Sequence, residues 1–212
     1  MANGSSAPVL NPQSVSQQQQ FIFDQFNGTT YMPNQMDVQH EPIYDQLVTP
    51  QGGTIVNLTQ FFTNPAGKTV NQTNVFTPKK LDAPEAFAVM AIRWYPSPDV
   101  LLADLIALFN NFVLEFWIGN KWYNRAPLWH FNAGGGIAGN PSTMTAPTFA
   151  WTNGTPGRPQ MHELAINIVI DNQASFFGQL NGVATVLSGT AAGGTGITQM
   201  MLLDGLHARG VQ

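Results

Sequence analysis

The 212-residue chain contains no cysteine, and that one absence removes disulfide cross-links, thiolate nucleophiles and thiolate metal sites together. Charge is nearly as scarce: Asp, Glu, Lys and Arg make up 9% of the residues, against roughly 25% in ordinary soluble domains. No Lys or Arg precedes Lys68, and Lys79-Lys80 is the one adjacent basic pair, while Asp24, Asp37, Glu41 and Asp45 make the first third acidic. Phosphate backbones are bound by clustered cations that displace counterions, so no direct nucleic-acid contact is expected, nor a basic helix lying on a membrane. The start of the chain shows neither the basic stretch nor the apolar centre of a targeting signal, and no apolar run reaches the length of a membrane span. A free monomer keeps itself soluble with mixed surface charge, whereas the centres of protein interfaces are poor in Lys, Glu and Asp. The scarcity of charge therefore points to assembly, with a polar secreted β-protein as the alternative.

What is present suffices for one large core: 43% of the residues are hydrophobic, and all-β chains of this length commonly form a single domain. Residues 1–20 stand apart, polar and uncharged, with Val9 and Leu10 as their only large apolar neighbours and a run of Gln17, Gln18, Gln19 and Gln20. They are too poor in apolar surface to form a core, so the sequence divides into a flexible N-terminal arm at 1–20 and a sandwich domain at 21–212. From Phe21 the chain reads as strands and turns: Phe21 to Phe26, Ile43 to Val48, Thr54 to Phe62, Asn74 to Thr77 and Ala86 to Tyr95. Ser97, Pro98 and Asp99 carry the signals of a helix start, and the apolar spacing from Leu101 predicts a helix to about Phe109 whose broad stripe needs a sheet to cover. Phe112 to Ile118 follows as a strand, and Gly119-Asn120 as a hairpin turn into Lys121 to Tyr123. After a glycine- and proline-rich loop at 132–146 and a short strand at Thr148 to Trp151, the alternation of Leu164, Ile166, Ile168 and Ile170 is the strongest strand signal. Weaker strands at Ser175 to Leu180 and Gly182 to Leu187 and a last one at Ile197 to Leu203, continuing toward Val211, complete a β-sandwich pattern with one helix.

Catalytic patterns fail on context. Gly134, Gly136 and Gly139 match the spacing of a dinucleotide loop, but Pro141 and Pro147 follow where a helix would have to begin. The cluster of Gly193, Gly194 and Gly196 lacks the Lys-Ser/Thr ending of a phosphate loop. His162-Glu163 lacks the second histidine of a zinc protease, its place being taken by Ile166. His40, His130 and His207 are scattered, and Asp99, Asp104, Glu115 and Glu163 show no spacing of a hydrolytic pair. No catalytic, cofactor-binding or metal-binding residue is assigned, and no cofactor is expected. Trp94, Trp117, Trp122, Trp129 and Trp151 leave a carbohydrate-binding module as the alternative function, since aromatic faces stack on sugars.

The strand, helix and Gly-Asn hairpin of residues 86 to 124, followed by Ala126, Pro127, Leu128 and the loop Gly134-Gly135-Gly136, resemble the single jelly-roll structural proteins of icosahedral viruses, of bacteriophages especially. The resemblance is architectural and spans residues 21 to 211 loosely. It implies a mainly β fold, a single jelly-roll-like antiparallel sandwich with one short inserted helix, and a non-enzymatic coat or capsid-associated subunit in the virion shell. Its partners would be further copies of itself and other virion proteins. In such a shell the arm contacts a neighbour, which makes Val9, Leu10, Gln17, Gln18, Gln19 and Gln20 the subunit-interface candidates. The arm departs from genome-binding coat proteins in having no basic residue.

Overall fold

The computed structural model describes residues 36–97, 100–132, 163–188 and 196–210, with the backbone of 138–139 and 151–152. In chain order the strands are β1 (Met36–His40), β2 (Ile43–Thr49), β3 (Thr54–Ile55), β4 (Thr59–Phe61), β5 (Ala86–Pro96), β6 (Phe112–Ile118), β7 (Lys121–Pro127), β8 (Ala138–Gly139), β9 (Trp151–Thr152), β10 (Glu163–Ile170), β11 (Phe176–Gly182), β12 (Thr185–Val186) and β13 (Ile197–Gly210). Helix α1 (Leu102–Asn111) joins β5 to β6.

One sheet has five strands, with β13 between β5 and the collinear pair β1 and β2, and β10 beyond β5; the other has four, in the order β4, β11, β6, β7. β1 and β2 lie end to end on β13 in one register, His40 opposite Leu206 and Ile43 opposite Leu203. Pro42 has no N–H to offer, so the ladder breaks at Glu41-Pro42 and resumes without a shift. The strand pairs are nested: β1 and β2 with β13, β4 with β11, β5 with β10, β6 with β7. The chain is thus one long hairpin, rolled so that β13 also meets β5 and β11 also meets β6. The result is a mainly β sandwich of antiparallel sheets with one short helix, as expected.

Its core joins both sheets. Phe61, Phe116 and Phe176 from the four-stranded sheet pack with Phe87, Trp94 and Met201 from the other, and none is accessible to more than 1%. Each such side chain contributes roughly 1.5–3 kcal/mol by burial. The parity of β5 explains how its sequence serves one core. Phe87 and Val89 alternate in step, and so do Ile92 and Trp94, but the two sets are out of phase. A bulge resolves this: Asp204 pairs with Ala91 and Gly205 with Val89, so Met90 is the extra residue and all four side chains reach the core. Gly205 is required there, because a Cβ would sit 1.9 Å from the Ala88 carbonyl oxygen.

Several local expectations are corrected. The helix begins at Leu102, not at Pro98 behind a Ser97 cap; Leu101 occupies the cap without a side-chain bond, and Ser97 Oγ instead accepts the Thr198 N–H at 3.1 Å, tying the end of β5 to β13. Pro98 and Asp99 lie outside the described residues. The broad apolar stripe is covered only in part: Leu105 and Leu108 are buried and Phe109 packs edge-on against Trp94 at 5.9 Å, while Leu102 and Ile106 face solvent. Thr54 to Phe62 is not one strand, because Leu58 and Phe62 adopt φ of 65°, which breaks it into β3 and β4. Asn74 to Thr77 forms no strand; Asp45 bridges Thr73 alone. β11 runs through Asn181 to Gly182, and the strand expected from Gly182 to Leu187 shrinks to β12. In β10 the register slips between Glu163 and Ile168, leaving Ile166 74% exposed despite its alternation with Ile168 and Ile170. The 1–20 arm, Phe21 to Phe26 and most of the 132–146 loop lie outside the described residues.

Candidate functional site

The outer face of the four-stranded sheet carries the densest polar constellation. Glu115 of β6 pairs across the ladder with Gln179 of β11 on one side and Arg125 of β7 on the other, and Gln179 pairs in turn with Gln60 of β4. The four side chains therefore form one row across every strand of the sheet. Glu115 is only 3% exposed, covered by its own bonding partners. Its Oε2 accepts from Trp117 Nε1 at 2.9 Å and Gln179 Nε2 at 3.2 Å; its Oε1 accepts from Asn181 Nδ2 at 2.9 Å and faces Arg125 Nε at 3.1 Å. Gln60 Nε2 donates to Gln179 Oε1 at 2.9 Å and Lys79 Nζ to Gln60 Oε1 at 3.1 Å. Beside this row Trp117 stacks on Phe177, planes 3° apart and centroids 6.0 Å apart, and Lys79 Nζ lies 4.7 Å from the Phe177 centroid. With both carboxylate oxygens engaged, this glutamate ties β6 to β7 and β11 across the sheet surface.

A second cluster closes one end of the five-stranded sheet. Glu41 sits at the β1–β2 break, Glu85 just before β5, and His207 and Arg209 on β13. Arg209 Nη2 lies 2.8 Å from Glu41 Oε2, and His207 Nε2 lies 3.3 Å from Glu85 Oε2. The imidazole also meets the Phe87 ring edge-on at 5.7 Å. Burial first, then the Arg209 guanidinium, hold His207 below its ordinary value of 6.5, against the opposing pull of Glu85 and Glu41. A third carboxylate, Asp45 of β2, is fully buried; its Oδ2 accepts the Phe62 N–H and its Oδ1 faces Lys68 Nζ, both at 2.7 Å. These groups tie loops to sheets. No set of three or more His, Asp or Glu side chains among the described residues is arranged to hold a metal ion.

Of the residues singled out in the sequence, Val9, Leu10, Gln17, Gln18, Gln19 and Gln20 lie outside the described residues. So do Gly134, Gly136, Gly193, Gly194 and His162. Trp94 is core, Trp117 belongs to the stacked pair, and Trp122 and Trp129 are exposed by 53% and 57%. The Gln60–Gln179–Glu115–Arg125 row escaped sequence reading, because its members come from four strands whose neighbours and register no single-chain pattern gives. The only available signal was the alternation of Glu115 and of Gln179 with apolar neighbours.

No helix among the described residues is long and apolar enough to cross a membrane. Neither a protein-family model nor a curated protein sequence matches this chain.

Proposed function

We propose that the chain is a non-enzymatic structural subunit of a virus particle, a self-assembling capsid or capsid-associated protein. The observation that carries this reading is the nested strand order. Pairs of first with last, β4 with β11, β5 with β10 and β6 with β7, rolled into two facing sheets, support a single jelly-roll reading of the sandwich, an architecture used repeatedly for viral shells. The carboxylates of the three polar clusters are taken up by structural partners, and the low charge of the chain suits a surface meant for burial. The test is light scattering on size-exclusion fractions of the full chain, followed by electron microscopy of any large species. Closed particles or discrete rings are the expected result; a stable monomer to high concentration, with no co-purifying virion protein, overturns the proposal.

Jelly rolls also serve as lectins, and the exposed Trp122 and Trp129 favour that as the second reading. Reproducible binding on a glycan array, lost in Trp122→Ala or Trp129→Ala, would replace the first reading with it.

A further inference from the structure

The sandwich has open sheet edges, and they are not equivalent. The edge at β4 is only Thr59–Phe61, and the Phe62 N–H just beyond it is taken by Asp45. The edge at β10 is broken by the slip between Glu163 and Ile168. The edge at β2 is covered by the following loop, where Tyr44 N donates to Asn74 Oδ1 at 2.9 Å, Asn74 N to the Tyr44 carbonyl at 3.3 Å, and Asp45 bridges Thr73. Short strands, bulges and covering loops are the ordinary protections of an edge. Among the described residues β1 has none of these, and β7 has one interruption, a bulge at Tyr123, where Phe116 faces Asn124 and Trp117 faces Trp122. β7 extends for seven residues, paired on one side with β6, and no backbone group of 121–127 bonds to anything else among the described residues. β1 extends for five, paired on one side with β13.

Their charges are opposite. The charged residues of β7 are Lys121 and Arg125, both basic, and β1 with the residue after it carries Asp37 and Glu41, both acidic, beside the exposed His40. Pairing β7 with another β7 gathers four cations and no anion in one two-stranded ladder, and pairing β1 with β1 gathers the acids in the same way; like charges on facing strands oppose both arrangements. An antiparallel ladder of β7 with β1 satisfies both edges instead: with Arg125 opposite Asp37, Asn124 faces Val38, and past the Tyr123 bulge Lys121 falls beside His40 and Glu41. β7 ends the four-stranded sheet and β1 the five-stranded one, so the two surfaces are different patches of the same molecule. Such a heterologous contact repeats from copy to copy and closes into rings when the rotation permits.

We infer that subunits associate head to tail by strand addition, β7 of one copy pairing antiparallel with β1 of the next, with Arg125 set against Asp37. The inference rests on the self-assembly reading above and names the surface that reading needs. The absence of cysteine from the chain gives a clean test. Facing residues of adjacent strands bring their Cα atoms to within disulfide range. Subunits carrying Asn124→Cys are mixed with subunits carrying Asp37→Cys, Val38→Cys or Gln39→Cys, each checked for a parental unfolding midpoint, and oxidised gently. Disulfide-linked dimers in at least one mixture, absent from either variant alone, are the expected result, and a chain carrying both cysteines should give a ladder of covalent multimers. A charge exchange supplies an independent reading: Lys121→Glu and Glu41→Lys, each checked for a parental unfolding midpoint, each weaken association by about fivefold, the scale of one exposed ion pair, and the double variant recovers part of the loss. Self-linking of Asn124→Cys, or preferential linking to Phe23→Cys in the segment before β1, overturns the inference in favour of a two-fold contact or of that segment. Oligomers that form while no β1–β7 pair links also overturn it and leave self-assembly standing. A protein that forms no oligomer removes the self-assembly reading and the inference together.

Discussion

Asp45 shows how much a single buried charge determines in a chain with few of them. At 1% exposure its carboxylate holds the Phe62 N–H on one oxygen and Lys68 on the other, fixing the 62–73 loop over the edge of β2. Asp45→Asn keeps the shape but leaves a largely buried ammonium facing a neutral amide, so it should cost about 3 kcal/mol, at the lower end for a broken buried pair because Lys68 retains some solvent; urea unfolding measures it, and a loss below about 0.5 kcal/mol would contradict the assignment. His207 makes a prediction about pH. The folded state holds the imidazole below 6.5, chiefly by burial, so the unfolded chain binds its proton first as pH falls. The stability due to neutral His207 is therefore complete above the unfolded value and is lost as pH drops from about 6.5 through the lower folded value, with a slope of at most about 1.4 kcal/mol per pH unit. Glu41 and Glu85 face its two ring nitrogens and the Arg209 guanidinium lies beside them. His207→Gln should accordingly show a smaller drop in unfolding midpoint between about pH 7.5 and about pH 5.5 than the parent. An equal or larger drop would place the proton uptake elsewhere.

At the scale of elements, α1 separates the burial that stabilises from the hydrophobicity that only looks as if it does. Leu105 and Ile106 are adjacent in an apolar run, yet the first is inaccessible and the second 46% exposed. Leu105→Ala should cost about 2–4 kcal/mol by lost transfer energy and cavity formation, and Ile106→Ala less than about 1 kcal/mol; chemical unfolding of the two variants side by side decides, and comparable losses would mean that Ile106 is covered. The same helix shows what sequence reading can reach. Its existence and its place between β5 and the β6–β7 hairpin were legible, because apolar spacing and a Gly-Asn turn are local signals, and Gly119 indeed takes φ of 58° at the turn. Its first residue was not, because Ser97 has a competing partner in Thr198, a hundred residues away and visible only once β13 is in place. β10 fails for a related reason: alternation of Leu164, Ile166, Ile168 and Ile170 specifies a strand, but the slip that turns Ile166 outward is decided by β5, its neighbour among the described residues. Of the polar row only the alternation of Glu115 and of Gln179 with apolar neighbours was legible; which residues meet there was not, since the row exists only once four registers align. Mutually dependent strand pairs are what a linear pattern does not contain.

At the scale of the whole molecule, the buried apolar cluster among the described residues joins both sheets with side chains from Ile43 to Leu203. Residues 1–20 offer Val9 and Leu10 as their only large apolar neighbours, against a backbone ordering cost of roughly 1–2 kcal/mol per residue, so nothing in their composition offsets fixing them on their own subunit. A neighbouring copy changes that balance, because strand-like segments rich in Gln can hydrogen-bond along a sheet edge while Val9 and Leu10 are buried in the contact. Deleting residues 1–20 should therefore leave the unfolding midpoint of the dissociated subunit within about 3 °C, the shift that about 1 kcal/mol gives a domain of this size, and should lower the yield of assembled particles at a fixed concentration. Hydrogen exchange on the full chain separates the causes, since the amides of Gln17 to Gln20 should gain protection on assembly and not before it. Protection already present in the free subunit would make the arm part of the fold, and exchange that stays fast in the particle would remove it from the interface; in either case the loss of assembly on deletion would need another origin, and the contact between copies would fall to the sandwich edges alone.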